Sequence, residues 1–219
     1  LADSDGLGSI NYQWKRNGSN IILGGSHQDG INNVDGLNGA FAIAVSPDER
    51  HVYTTGYLDD SISWFERNAS TGGFNYKGKL SDGIAGVDGI DGALFIELSD
   101  DGEFLYASGY LENSISWFER NSSTGGLNYL GKLSDGINGV DGLSNSMGLT
   151  FSNDEQFVYV SSNGDNAVSW FDRNSTSGSL TFRGLVKDGV DGVDGIKGTW
   201  RNCLSKDQKH LYAVGSGDN

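Results

Sequence analysis

Four glycine-rich loops hold most of the acidic side chains whose spacing could do chemistry. They read "QDGINNVDGLNGA", "SDGIAGVDGIDGA", "SDGINGVDGLSNS" and "KDGVDGVDGIKGT". Asp29 and Asp35 of the first recur as Asp82 and Asp88, Asp135 and Asp141, and Asp188 and Asp194. Carboxylates interleaved with glycines, which let backbone carbonyls turn inward, supply the oxygen ligands that a structural calcium ion takes. The spacing is neither that of an EF-hand nor that of the nonapeptide calcium repeats. The competing reading makes each Asp-Gly a turn whose carboxylate bonds the backbone two residues on.

A second constellation lies where the copies disagree. Four short runs, "GAFAIAV", "GALFIEL", "SMGLTF" and "GTWRNCL", read as the innermost strands of a repeated sheet. They place Ala42, Phe95, Gly148 and Arg201 in one layer and Ala44, Glu97, Thr150 and Cys203 in another, with Phe41, Leu94, Met147 and Trp200 alternating into the core. Arg201 facing Glu97, beside Trp200 and Cys203, is the one asymmetric polar group, and function sits at departures from a regular scaffold. It predicts a ligand-binding channel mouth; the alternative is an ion pair plugging an uneven axis. Cys203, the only cysteine, reads as a small buried residue and excludes a disulfide within the chain. His27, His51 and His210 share no register, which argues against a three-histidine metal site.

What must position these groups is a repeat of 53 residues. "SISWFERN" runs from Ser61 to Asn68 and again from Ser114 to Asn121, with "AVSWFDRN" from Ala167 to Asn174. Tyr53, Tyr106, Tyr159 and Tyr212 keep the same interval. Each unit holds four short aromatic or β-branched runs separated by turn residues, and no helical period appears. Four antiparallel strands repeated radially make a β-propeller blade. The expected fold is all-β: one domain over residues 1–219, four blades from repeats 9–60, 61–113, 114–166 and 167–219. The ring would close by mixing amino- and carboxy-terminal strands in one blade, as a monomer or as a homodimeric eight-bladed ring. Trp64, Trp117 and Trp170 are expected between sheets, with a sugar-binding shelf as the second reading. Asn17, Asn68, Asn121 and Asn174 fall in glycosylation sequons that turn chemistry also explains.

The 34 glycines against one proline agree with many tight turns, and the hydrophobic content of 36% suffices for a core. A formal charge of −14 argues against nucleic acid and anionic lipid as partners. No apolar run is long enough for a membrane helix, and no signal pattern opens the chain, so a secreted form would have lost its signal.

The stretch "SPDERHVYTTGYLDDSISWFERNASTGGFNYKGKL" resembles the repeats of bacterial lactonase-like and YncE-like β-propellers, with their "SPDG…VYV", "DN-x-V-x-[WF]" and "T-G-x-L" pattern. The resemblance implies the propeller fold over residues 9–219; none of the catalytic positions of the lactonases is matched by a residue here. "DSDGLGSINYQWKRNG", Asp3 to Gly18, is faintly similar to bacterial surface immunoglobulin-like repeats and implies descent from a modular secreted protein.

Four similar blades offer repeated surface pockets without catalytic asymmetry, and multivalency favours binding. The sequence therefore predicts a secreted or extracellular, non-enzymatic binding protein of lectin or adhesin type, with a glycan or cell-surface ligand, acting in one version as a released toxin. A lactonase-like hydrolase with its site at the channel mouth is the alternative.

Overall fold

The computed structural model describes residues 15–16, 19–20 and 25–217. Every regular element among them is a strand. Two short strands, β1 (Lys15–Arg16) and β2 (Ser19–Asn20), pair as a hairpin. Three four-stranded antiparallel meanders follow. The first blade is β3 (Ala40–Val45), β4 (His51–Gly56), β5 (Ser61–Arg67) and β6 (Phe74–Ser81). The second is β7 (Ala93–Leu98), β8 (Phe104–Gly109), β9 (Ser114–Arg120) and β10 (Leu127–Ser134). The third is β11 (Ser146–Phe151), β12 (Phe157–Ser162), β13 (Ala167–Arg173) and β14 (Leu180–Lys187). A pair, β15 (Thr199–Leu204) and β16 (Leu211–Gly215), begins a fourth.

Among the described residues the four repeats thus make three full blades and half of another. Among the described residues the two ends occupy separate sheets, so the expected blade of mixed terminal strands is not formed there. Most of residues 9–24, which that expectation used, lie outside the described residues.

Local chemistry explains the repetition. Ser46, Ser99, Ser152 and Ser205 each donate Oγ–H to the aspartate two residues on, Asp48, Asp101, Asp154 and Asp207, closing the hairpin after the inner strand. Asp60, Asn113 and Asn166 stand before the third strand at φ of 47°, 56° and 55°. Aspartate and asparagine tolerate that left-handed conformation best among residues with a Cβ. Their side chains also accept from the backbone N–H of Gly92, Asn145 and Gly198 at 2.8, 2.7 and 2.8 Å, fixing where the next inner strand enters.

The core lies between blades. Tyr53, Ile62, Val87, Ile90, Ile96 and Phe118 fill the first interface, and Tyr106, Ile115, Leu143, Val160 and Phe171 the second. Burial of such side chains supplies most of the driving force for the fold. The tryptophans only partly follow expectation: Trp117 is buried, whereas Trp64 and Trp170 are half-buried. Each indole lies over a glycine of the outer strand of its own sheet, Gly78, Gly131 or Gly184, where a Cβ would come within 2.9, 2.8 and 2.7 Å of the ring.

An arginine clasp ties the first blade to the second and the second to the third. Tyr53 donates to the Gly125 carbonyl of the second blade at 2.7 Å, and Arg120 Nε donates to the Tyr53 hydroxyl at 2.9 Å. Arg120 also reaches the Gly102 carbonyl, both oxygens of Asp48 and Nδ1 of the buried His51. Burial alone would raise Asp48, but bonds from Ser46, Arg120 and the Arg50 amide hold its carboxyl well below the usual range. One repeat later Tyr106 donates to Gly178 and Arg173 to Tyr106, at 2.6 and 2.9 Å. Phe104 now stands where His51 stood. Arg173 Nη2 is buried without a hydrogen bond, 3.8 Å from Asp101, and its guanidinium lies 5.6 Å from the Phe104 ring centre.

Candidate functional site

The inner strands place their side chains alternately toward the preceding and the following blade. Phe41, Leu94, Met147 and Trp200, expected in the core, line one mainly apolar cavity of about 570 Å³, joined by Tyr57, Leu58, Tyr110 and Asn163 from the hairpin turns. Leu94 and Met147 are buried behind it, while Phe41 and Trp200 remain 49% and 43% exposed. Leu94 and Met147 thus meet the expectation and Phe41 and Trp200 do not, since these two stand on the first and last inner strands, where no further blade covers them among the described residues. Trp200 Nε1 donates to Ser216 Oγ at 3.1 Å.

The other three predicted channel residues do come together. Glu97 on β7, Thr150 on β11 and Arg201 and Cys203 on β15 line a separate cavity of about 340 Å³, with Asp100, Asn153, Glu155 and Asn202. Trp200 is not part of it. The two cavities share no lining residue. Arg201 places its guanidinium 5.0 Å from the ring centre of Phe95, whose other neighbour, Phe41, meets it edge-on at 5.2 Å. Gly148 makes this possible, since a Cβ there would lie 2.9 Å from the Trp200 carbonyl and 3.0 Å from Arg201 Cα.

Arg201 and Glu97 form no ion pair within 4.0 Å among the described residues, so the plug reading fails. They still sense each other. Burial raises the Glu97 carboxyl above its ordinary value, and the nearby guanidinium opposes that rise. Cys203 is exposed rather than buried, on the wall of this cavity.

Sequence reading missed Asn202 and Glu155. Asn202 is 6% exposed and donates Nδ2–H to Ser161 Oγ at 2.8 Å, while its Oδ1 is buried with no partner. Glu155 accepts from Arg173 at 3.2 Å and from the Asp100 amide. Asn202 shares a register with Ile43, Ile96 and Leu149, and a polar residue at an apolar position was the available signal.

The aspartate loops resolve into one cluster per blade rather than a single site. Asp29, Asp35 and Asp59 converge, as do Asp82, Asp88 and Glu112, and Asp135, Asp141 and Asp165; Asp188 and Asp194 join no such group among the described residues. Asp29, Asp82, Asp135 and Asp188 accept the amide N–H eight residues on, from Leu37, Ile90, Leu143 and Ile196, a longer loop closure than the two-residue turn expected. A lysine serves each cluster. Lys79 pairs with Asp35 at 2.9 Å, Lys132 with Asp88 and Glu112 at 2.8 and 2.6 Å, and Lys187 with Asp165 at 3.2 Å. Burial would lower Lys132, but Asp88 and Glu112 carry it above its ordinary value. Each of the three clusters thus holds three carboxylates beside one ammonium.

The sequon asparagines also act as turn residues: Asn68, Asn121 and Asn174 each accept two backbone N–H bonds. None of the three has a positive φ, so the left-handed conformation expected of them is replaced by capping of the loop.

Solved structures share the fold. A candidate 6-phosphogluconolactonase from Bacteroides uniformis superposes with a TM-score of 0.65 at 18% identity, over 80% of this chain and 47% of its own. The periplasmic gluconolactonase of Pseudomonas aeruginosa gives 0.62 at 21%, over 82% and 43%. A protein from Lactobacillus plantarum gives 0.55 at 26%, over 68% and 42%. The chain spans less than half the length of each. No curated protein matches it.

Residues 27–190 match the family model described as Lactonase, 7-bladed beta-propeller. This overturns the expectation of a non-enzymatic lectin- or adhesin-like protein and of a released toxin, which rested on counting similar blades. Multivalency argued from repetition cannot tell a binding array from a scaffold that is regular everywhere except at one cavity. By that match the chain belongs to the seven-bladed β-propeller lactonase family.

Proposed function

We propose that the polar cavity hydrolyses a lactone. The observation that carries this reading is the convergence of Glu97 and Arg201 from the second and fourth repeats on one cavity, in a chain of lactonase family. Ring opening needs a base to take a proton from water as its oxygen attacks the acyl carbon. It also needs a donor for the oxyanion that develops there. Glu97, held above its ordinary value by burial, is the base. Arg201, preorganised on the Phe95 ring, is the oxyanion donor. The proton held by Glu97 then passes to the ring oxygen as the acyl C–O bond breaks, giving the hydroxy acid.

The test is lactone hydrolysis with a pH profile. Glu97→Gln should lower kcat by about 100-fold or more, and Arg201→Met by a similar factor. Because Glu97 must be ionised, the wild-type rate should rise with pH through a midpoint above the usual carboxylate value. Removing the Arg201 charge should move that midpoint higher still. Unaltered turnover in both variants would place the reaction elsewhere.

A further inference from the structure

The relatives named above differ by a phosphate: one is described for a phosphorylated sugar lactone and one for the plain one. The cavity of this chain distinguishes between those two chemistries. Its lining offers three carboxylates, Glu97, Asp100 and Glu155, against a single cation, Arg201. Arg173 stands behind the wall, its side chain 1% exposed and bonded to Glu155, so it is out of reach of a ligand. The Arg201 guanidinium is laid on the Phe95 ring beside Glu97.

Backbone donors are spent as well. The Asp100 amide donates to Glu155, the Asn153 amide to Gln208 at 2.8 Å and the Ser152 amide to the Phe157 carbonyl at 3.0 Å. The Thr150 hydroxyl donates to the Asn202 carbonyl at 2.9 Å. A phosphate ester carries up to two negative charges and is held by arginine or lysine forks, helix amino termini or nests of free amides. The lining supplies none beyond Arg201. It supplies acceptors instead, the carboxylates of Glu97, Asp100 and Glu155.

We infer that this site takes a neutral, polyhydroxylated lactone whose hydroxyl groups donate to the cavity's acceptors, and that it rejects the phosphate ester of the same lactone. This rests on the cavity being the hydrolytic site, so binding and turnover are measured separately. The binding probes are a sugar lactam, which keeps the ring carbonyl and hydroxyls but resists hydrolysis, and its 6-phosphate, titrated calorimetrically into the 219-residue chain.

The lactam should bind at least tenfold more tightly than its phosphate. Asp100→Asn, which removes one of the three carboxylates, should narrow the gap by raising affinity for the phosphate. Equal or tighter binding of the phosphate, or no binding of either probe, would overturn the inference. Selective lactam binding without turnover of any lactone upholds it while sinking the hydrolase reading; turnover that favours the phosphorylated lactone does the reverse.

Discussion

His51 and Phe104 hold the same place in successive repeats, and the difference between them sets the state of a buried arginine. Arg120 finds an acceptor in His51 Nδ1 and a carboxylate in Asp48. Arg173 meets a phenyl ring and a distant Asp101. Burial, with Arg120 beside it, lowers the His51 imidazole below its ordinary value. The unfolded chain therefore takes up a proton near pH 6.5 that the folded chain refuses, and stability falls as pH drops through that value. His51→Phe should flatten that dependence in urea titrations between pH 7.5 and 5.5, with a loss of about 1 kcal/mol at the upper pH from the lost bond. Phe104→His should gain about as much at pH 7.5, by giving Arg173 Nη2 a partner, and lose the gain as the pH falls. Arg120→Ala, which leaves Asp48 and the Tyr53 hydroxyl without their cation, should cost about 3 kcal/mol or more.

At the scale of the strand, side chain and glycine are chosen together. The β9–β10 register slips between Tyr129 and Gly131, which sets Gly131 opposite Trp117, and the indole occupies the space a side chain would need. Gly131→Ala should therefore cost about 1–3 kcal/mol by overpacking, read as a lower urea midpoint at unchanged slope. The loops between blades are closed from within by amide bonds and lysines, so calcium and a chelator should leave Tm within about 1 °C of each other. Lys132→Ala should lower stability by about 1 kcal/mol, since Asp88 and Glu112 then face each other unscreened. Strand positions and blade membership were legible in the sequence because turn residues and the 53-residue period punctuate them. The lysines were not, because Lys79 and Asp35 are brought together only by the fold of the outer strand against the loop. Arg201 and Glu97 were legible as departures between copies. Asn202 was passed over because a lone polar residue on an inner strand gives no hint of which blade it will face.

Across the whole molecule, the same register position meets different surroundings. Ile96 and Leu149 are 5% and 4% exposed between blades, whereas Ile43 is 70% exposed on the outward face of the first blade, beside Phe41 and Val45. Tyr212 and Val214 of β16 stand 59% and 62% exposed at the other end of the arc. Ile96→Lys should cost more than about 4 kcal/mol and Ile43→Lys within about 0.5 kcal/mol of nothing, compared by chemical denaturation. A large cost at Ile43 would mean that another layer covers that face in solution.

The clasp gives the ring a rule of growth. Its tyrosine and its arginine lie 67 residues apart in both formed copies, more than one repeat, so no blade contains a complete clasp. Copying one 53-residue unit adds one tyrosine and one arginine, and each new junction is satisfied at once by its neighbours. Blade number can then change by duplication without redesigning any interface, in the way a zip lengthens by whole teeth. A blade cut out alone would instead carry two half-clasps, a buried hydroxyl at one face and a cation at the other, and the smallest unit that keeps its own bonds is a pair.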